Sequence, residues 1–167
     1  IGMVTQSIEL FHASVRDNLT FFDTGISDEK ILDVIRELGL SHWYARLENG
    51  LDTLLESGNG GLSAGEAQLL AFVRIFLQDP GIVIMDEASS RLDPATEHLI
   101  EKAVDRMIAG RTSLVIAHRL KTVERADKIM ILENGRIIEF GDRKALAHDP
   151  NSKFSSLLKV GLDEVLV

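Results

Sequence analysis

Polar residues able to handle an anion, a divalent cation and a water molecule recur along this chain where apolar runs end. Ile82-Val83-Ile84-Met85 leads directly into Asp86 and Glu87. A carboxylate at that position is placed to hold Mg²⁺, directly or through water, because magnesium takes a few carboxylates together with water and phosphate oxygens. Glu87, one residue further, points differently and suits the orientation or deprotonation of a water. Ser113-Leu114-Val115-Ile116-Ala117 ends likewise in His118, and the opening run Ile1 to Thr5 is followed by Gln6. A different cluster, Gly60-Gly61-Leu62-Ser63-Ala64-Gly65-Glu66, stands at a helix start. Unpaired N–H groups and the helix dipole draw phosphate to such an end; Ser63 adds a hydroxyl and Gly65 permits close backbone approach. Each feature also has a plainer reading. An acidic pair can simply close a strand, Ser63 and Glu66 can simply cap a helix, and a lone histidine or glutamine says little. Their shared placement at strand ends favours a ligand site, since open α/β sheets bind ligands outside the carboxyl ends of their strands.

The elements that must position these residues are legible in the pattern. Residues 7–79 read as mostly helical. Ser14 caps a short helix with Asp17, and Ser27 starts a stronger one with Asp28 and Glu29 in its first turn. Ile31, Leu32, Val34, Ile35 and Leu38 follow the helical period, and Gly39 suits the helix end. A looser segment, Asn49 to Gly61, precedes a helix opening at Ser63, where Glu66 completes the capping-box pattern. Leu69, Leu70, Phe72, Val73, Phe76 and Leu77 form its expected buried stripe, and Asp79-Pro80-Gly81 ends it. From residue 82 the apolar runs lack polar alternation, as expected of parallel strands buried on both faces. Asp93-Pro94 opens a helix to about Ala109 between them, giving a strand–helix–strand unit with a right-handed crossover. Strands at 128–132 and 136–140 flank Asn134-Gly135, a tight hairpin turn. Peripheral helices and a tail follow from 142 to 167.

Composition bounds the function classes. The 167 residues hold 18 Lys and Arg against 26 Asp and Glu, a net charge of −8. That balance argues against a sequence-independent nucleic-acid binder, which needs a cationic surface. Trp43 and the phenylalanines show no base-stacking pattern. The absence of cysteine removes disulfides, thiolate metal sites and a cysteine nucleophile. His12, His42, His98 and His148 lack metal-ligand spacing with one another and are assigned surface or packing roles. The most apolar stretch, Leu69 to Leu77, is interrupted by Arg74 and falls well short of the ~20 residues of a membrane span. No signal-peptide pattern opens the chain. These features lead to the expectation of a soluble, cytoplasmic, globular protein. Ile1 is not an initiator methionine and opens on a strand already under way, so a fragment is expected.

Taken in order, these clusters resemble the nucleotide-binding domain of an ATP-binding cassette (ABC) transporter of the exporter type. Gln6 with Leu10 to Leu19 is similar to the Q-loop and its trailing segment, and Leu62 to Glu66 to the family signature, usually Leu-Ser-Gly-Gly-Gln. Ile82 to Glu87 resembles the Walker B strand, Ser89 to Asp93 the D-loop, and Ile116 to Leu120 the switch-histidine loop. Thr122-Val123, Ala126-Asp127, Gly135 and Glu139-Phe140-Gly141 are similar to the exporter carboxyl-terminal half. The resemblance covers nearly the whole chain to about residue 158. It implies an α/β fold: a partial RecA-like P-loop NTPase core with a mostly parallel sheet and an inserted α-helical subdomain. The core strand and Q-loop would occupy 1–6, the helical subdomain 7–79, the α/β core 80–150 and a terminal helix and tail 151–167.

The same resemblance implies ATP and Mg²⁺ as ligands and an ATPase whose domains pair head to tail. Glu87 would be general base, Asp86 the magnesium ligand through water, and Gln6 the sensor of magnesium and attacking water. His118 would contact the γ-phosphate. Ser63, Ala64, Gly65 and Glu66 would serve the partner's nucleotide, and Asp93 would link the two sites. The implied partners are a second nucleotide-binding domain and a transmembrane domain encoded upstream, with no nucleic acid, at the cytoplasmic face of the inner membrane. Two departures stand out. Ala64 and Glu66 replace the usual glycine and glutamine, and no Gly-x-x-x-x-Gly-Lys-[Ser/Thr] P-loop is present, none of the 13 glycines being followed by lysine. The P-loop is expected upstream of Ile1, so the parent is expected to be an ATPase and this chain alone is not. The alternatives are a non-catalytic module lending a signature surface to a partner, and a non-transport ATPase of the DNA-repair or chromosome-maintenance type.

Overall fold

The computed structural model describes residues 1–5, 8–56, 62–86, 94–117 and 120–160, without the side chains of Leu120, Lys121 and Val160. The chain divides into two compact units, Ile1–Leu114 and Val115–Val167. The first opens with strand β1 (Gly2–Val4), then β2 (Ala13–Ser14), α1 (Val15–Thr20), α2 (Asp28–Glu37), α3 (Ser41–Tyr44), a 3₁₀ turn at Gly50–Asp52 and β3 (Leu54–Leu55). It continues through α4 (Ala64–Gln78), β4 (Ile82–Asp86), α5 (Pro94–Ile108) and β5 (Thr112–Ile116), of which residues 112–114 belong to this unit. β1, β4 and β5 form a parallel three-stranded sheet in that order, so the architecture is α/β with a partial RecA-like core.

Local chemistry accounts for these boundaries. The Ser14 hydroxyl accepts from the Asp17 N–H, and that of Ser27 from the Lys30 N–H, each filling one donor that a helix start leaves open. Gly39, at φ +74°, follows α2, a conformation that costs glycine little. Asp79, at φ +43°, closes α4, and its carboxylate pairs with Arg111 at 2.7 Å; that hydrogen bond and charge hold its pKa below the ordinary carboxylate value. Arg16 bridges Asp28 of α2 and Asp52 of the 3₁₀ turn. The segment read as loose between 49 and 61 contains β3, which pairs antiparallel with β2. No two-residue strand is visible in sequence, because its partner lies some 40 positions earlier.

α4 is the hub of the first unit. Its apolar residues are buried almost all round, with Leu69, Leu70, Phe72 and Val73 all but inaccessible, and α1, α2, α5 and β1 lie against it. The one-sided stripe expected from periodicity is therefore too narrow a description. Gly2 is required where β1 meets the end of this helix: a Cβ there would lie 2.7 Å from Pro80 Cγ and 3.0 Å from Ile75 Cγ2. The expectation of strands buried on both faces is corrected by the structure. Val4, Val83 and Met85 are buried, whereas Met3, Ile82 and Leu114 are exposed. Residues along a strand alternate between faces, and α4 lies against β1 on the buried one.

The second unit continues from the end of β5 through α6 (Leu120–Glu124), β6 (Lys128–Glu133), β7 (Arg136–Asp142), α7 (Arg143–His148) and α8 (Lys153–Val160). β6 and β7 form the expected hairpin, with Asn134 and Gly135 at φ +50° and +74° as a tight two-residue turn demands. The register shifts between Ile131 and Leu132. Val123 and Phe154 centre a small core with Ile129, Ile131, Leu146 and Leu158 packed against it. The Glu139 carboxylate accepts from Ser152 Oγ (3.0 Å) and from the Lys153 (3.1 Å) and Phe154 (2.8 Å) N–H groups, fixing the start of α8. Burial pushes its pKa up, but these hydrogen bonds outweigh that and hold it below the ordinary value.

Candidate functional site

Ser63 is the N-cap of α4, with extended backbone at φ −64° and ψ 158°. Its hydroxyl accepts from the Glu66 N–H at 3.2 Å, and Glu66 Oε2 accepts from the Ser63 N–H at 2.9 Å. Both halves of the capping box are formed. Ser63 and Ala64 are exposed, Gly65 is buried in the first turn, and Glu66 is partly covered. The Ser63 oxygen accepts within the helix while its proton stays available to an outside acceptor, since a hydroxyl both donates and accepts. A 15-residue helix ending in an exposed serine and a small residue can present N–H dipoles and a hydroxyl to an anion.

The other oxygen of Glu66 has a partner that sequence reading missed. Arg46 Nη2 donates to Glu66 Oε1 at 2.8 Å from 20 residues upstream. Arg46 sits just beyond α3, where its backbone N–H donates to the Trp43 carbonyl (3.1 Å) and the Trp43 ring is buried. No periodicity signals such a pair. Only the shared exposure of an arginine and a first-turn glutamate could have hinted at it.

Asp86 ends β4, half-buried. β1 and β4 run parallel with Val4 beside Met85, which brings Thr5 and Asp86 together at the carboxyl end of the sheet. These are the residues immediately before Gln6 and Glu87. Gln6, Glu87, Asp93 and His118 themselves lie outside the described residues, as do Gly60, Gly61, the rest of the Ser89-to-Asp93 segment and Arg119. The structure thus gathers Ser63, Ala64, Gly65 and Glu66 in one helical turn and sets Asp86 on a separate element. Among the described residues, no group of three His, Asp or Glu side chains is spaced to hold a metal ion. No helix of the described residues is long and apolar enough to cross a membrane.

A further polar cluster joins α4 to the segment that follows Gln6. Arg74, 7% exposed, donates from Nε to the Asn18 carbonyl (2.7 Å), from Nη1 to the Glu9 carbonyl (3.1 Å) and from Nη2 to Asn18 Oδ1 (3.2 Å). Asn18 in turn accepts from the Phe11 N–H and donates to the Phe11 and Ser14 carbonyls. Burial pushes the Arg74 pKa down from its ordinary value. Its guanidinium lies 4.8 Å from the Phe21 ring centroid, and Phe11 packs edge-on against Phe21 and Phe22. Phe21 and Phe22 both adopt left-handed backbone, at φ +53° and +64°, which costs a non-glycine residue roughly 1–2 kcal/mol. In sequence Arg74 reads only as an interruption of an apolar run. Its carbonyl partners become visible once the chain is folded.

Comparison with known proteins adds to this geometry. A family model described as ABC transporter matches residues 1–90, more than half of the chain. The chain is 39% identical over 165 residues to an ATP-dependent lipid A-core flippase of Alcanivorax borkumensis, covering 98% of this chain and 28% of that protein. It is similar to a toxin RTX-I translocation ATP-binding protein of Actinobacillus pleuropneumoniae, at 38% identity over 94% of this chain and 22% of that protein. An alpha-hemolysin translocation ATP-binding protein of Escherichia coli is 36% identical over 98% of this chain and 23% of its own length. The chain therefore spans only about a quarter of the length of these relatives.

Proposed function

This chain belongs to the ABC transporter family, and on that premise we infer that it is the signature-bearing part of an exporter-type nucleotide-binding domain, which binds and hydrolyses ATP to drive transport. The observation that carries this reading is the parallel pairing of β1 with β4, which sets Thr5 and Asp86 together at the carboxyl ends of adjacent strands, each just before a polar residue of the sequence. In this reading Glu87 is the general base for the attacking water, Gln6 orients that water, and His118 contacts the γ-phosphate. Asp86, half-buried at the end of β4, is a hard oxygen donor of the kind Mg²⁺ takes and would hold that ion through water. When bound, the ion neutralises charge on the phosphates. Ser63, Ala64, Gly65 and Glu66 meet the nucleotide of a second, head-to-tail domain, and Asp93 links the two sites. The helical region 7–79 docks on a membrane domain, which sets the transported substrate and holds the chain at the cytoplasmic face of the membrane.

The 167 residues contain no P-loop pattern, so in this reading the cradle for the β- and γ-phosphates comes from sequence outside them. The test compares MgATP hydrolysis by this chain with that of the same chain extended upstream through a P-loop. Turnover in the extended form alone is expected. Turnover by the 167 residues alone would contradict the assignment.

A further inference from the structure

A carboxylate three residues into a helix is a neighbour that an incoming anion must tolerate. In this protein Glu66 stands there, one turn from the Ser63 hydroxyl. An isolated negative charge at that place would occupy the positive end of the α4 dipole and repel phosphate. Here neither oxygen is left alone: Oε2 accepts from the Ser63 N–H and Oε1 from Arg46. The backbone from which the guanidinium reaches is anchored, because the Arg46 N–H is bonded to the carbonyl of the buried Trp43. Arg46 is exposed and Glu66 partly covered, with side-chain accessibilities of 59% and 21%. Exposed pairs of this kind add little to folding stability, so the consequence of the bond is local. It cancels the charge of Glu66 and holds its carboxylate in the capping box.

We propose that Arg46 is a positioning residue for the nucleotide-binding reaction: it neutralises and orients Glu66 so that the Ser63 end of α4 accepts a phosphate. This rests on the reading of that helix end given above. Arg46 acts through Glu66, and the distinguishing consequence is that the need for Arg46 vanishes once the carboxylate is gone.

The experiment uses the full-length protein and measures kcat and KM for MgATP in Arg46→Ala, Arg46→Lys, Glu66→Gln, the Arg46→Ala/Glu66→Gln double variant and Ser63→Ala, with a thermal unfolding scan of each. Arg46→Ala is expected to raise KM roughly three- to tenfold with kcat changed by less than about twofold, the scale of one uncompensated charge at a helix terminus. Arg46→Lys keeps the charge and stays near the parent. The double variant returns to the KM of Glu66→Gln alone. Equal impairment in Arg46→Ala and the double variant would overturn the proposal, and so would an unchanged KM in Arg46→Ala. If Ser63→Ala impairs turnover while the Arg46 variants do not, only this inference fails. If Ser63→Ala is also without effect, the reading of the helix end fails with it.

Discussion

Two arginines serve the same helix at different places and by different physics. Arg74, within α4, is buried, and its described partners are the carbonyls of Glu9 and Asn18 and the amide oxygen of Asn18. Arg46 reaches the amino end of α4 from outside, is largely exposed, and meets the carboxylate of Glu66. Removing the first takes the Arg74 donor from the buried Asn18 carbonyl, and an acceptor left unpaired there costs free energy. Removing the second leaves a carboxylate that water can solvate. In the proposed reading, charge at the surface of this helix adjusts what the helix can bind, whereas charge in its interior decides whether neighbouring segments hold together.

The comparison breaks first at Arg74. Arg74→Ala is expected to lower folding stability by roughly 3 kcal/mol, since three hydrogen bonds from one buried guanidinium are lost at once. Denaturant unfolding checks this, and a loss below about 1 kcal/mol would place Arg74 with ordinary surface residues. Arg74→Lys should recover only part of it, because a compact ammonium cannot fork to three oxygens. Ser63→Ala comes next. Loss of the N-cap bond should cost about 1 kcal/mol in the same assay. Arg46→Ala should change stability least, by about 0.5 kcal/mol or less. Salt sharpens the contrast: raising it to about 0.5 M should shrink the KM difference between Arg46→Ala and its parent while leaving the instability of Arg74→Ala in place, because exposed charges are screened and buried ones much less.

What the sequence discloses follows the range of the interactions involved. The capping box at Ser63, the caps at Ser14 and Ser27, the end of α4 at Asp79 and the Asn134-Gly135 turn all depend on residues within about one turn of each other, and they are found where the pattern places them. The capped start of α4 is legible for the same reason. Long-range features are not. β2 finds β3 across the helices between them, Arg46 finds Glu66 across 20 residues, and Arg74 finds Glu9 across 65. The left-handed backbone of Phe21 and Phe22 is equally hidden, since nothing local favours it in aromatic residues and it is accompanied by the contact of Phe21 with the Arg74 guanidinium and the edge-on packing of Phe11 against both rings. The apolar runs of β4 and β5 suggest burial on both faces, because a run of apolar residues records what a strand can bury rather than what covers it. Met3, Ile82 and Leu114 are exposed.

The central claim is that the polar residue following Asp86 works on a water at the end of β4. The most direct measurement is ATP hydrolysis and ATP binding by the full-length protein carrying Glu87→Gln. The account predicts turnover lowered by about two to four orders of magnitude, the usual scale for loss of a general base, with nucleotide binding retained. Hydrolysis at the parent rate in that variant would contradict it.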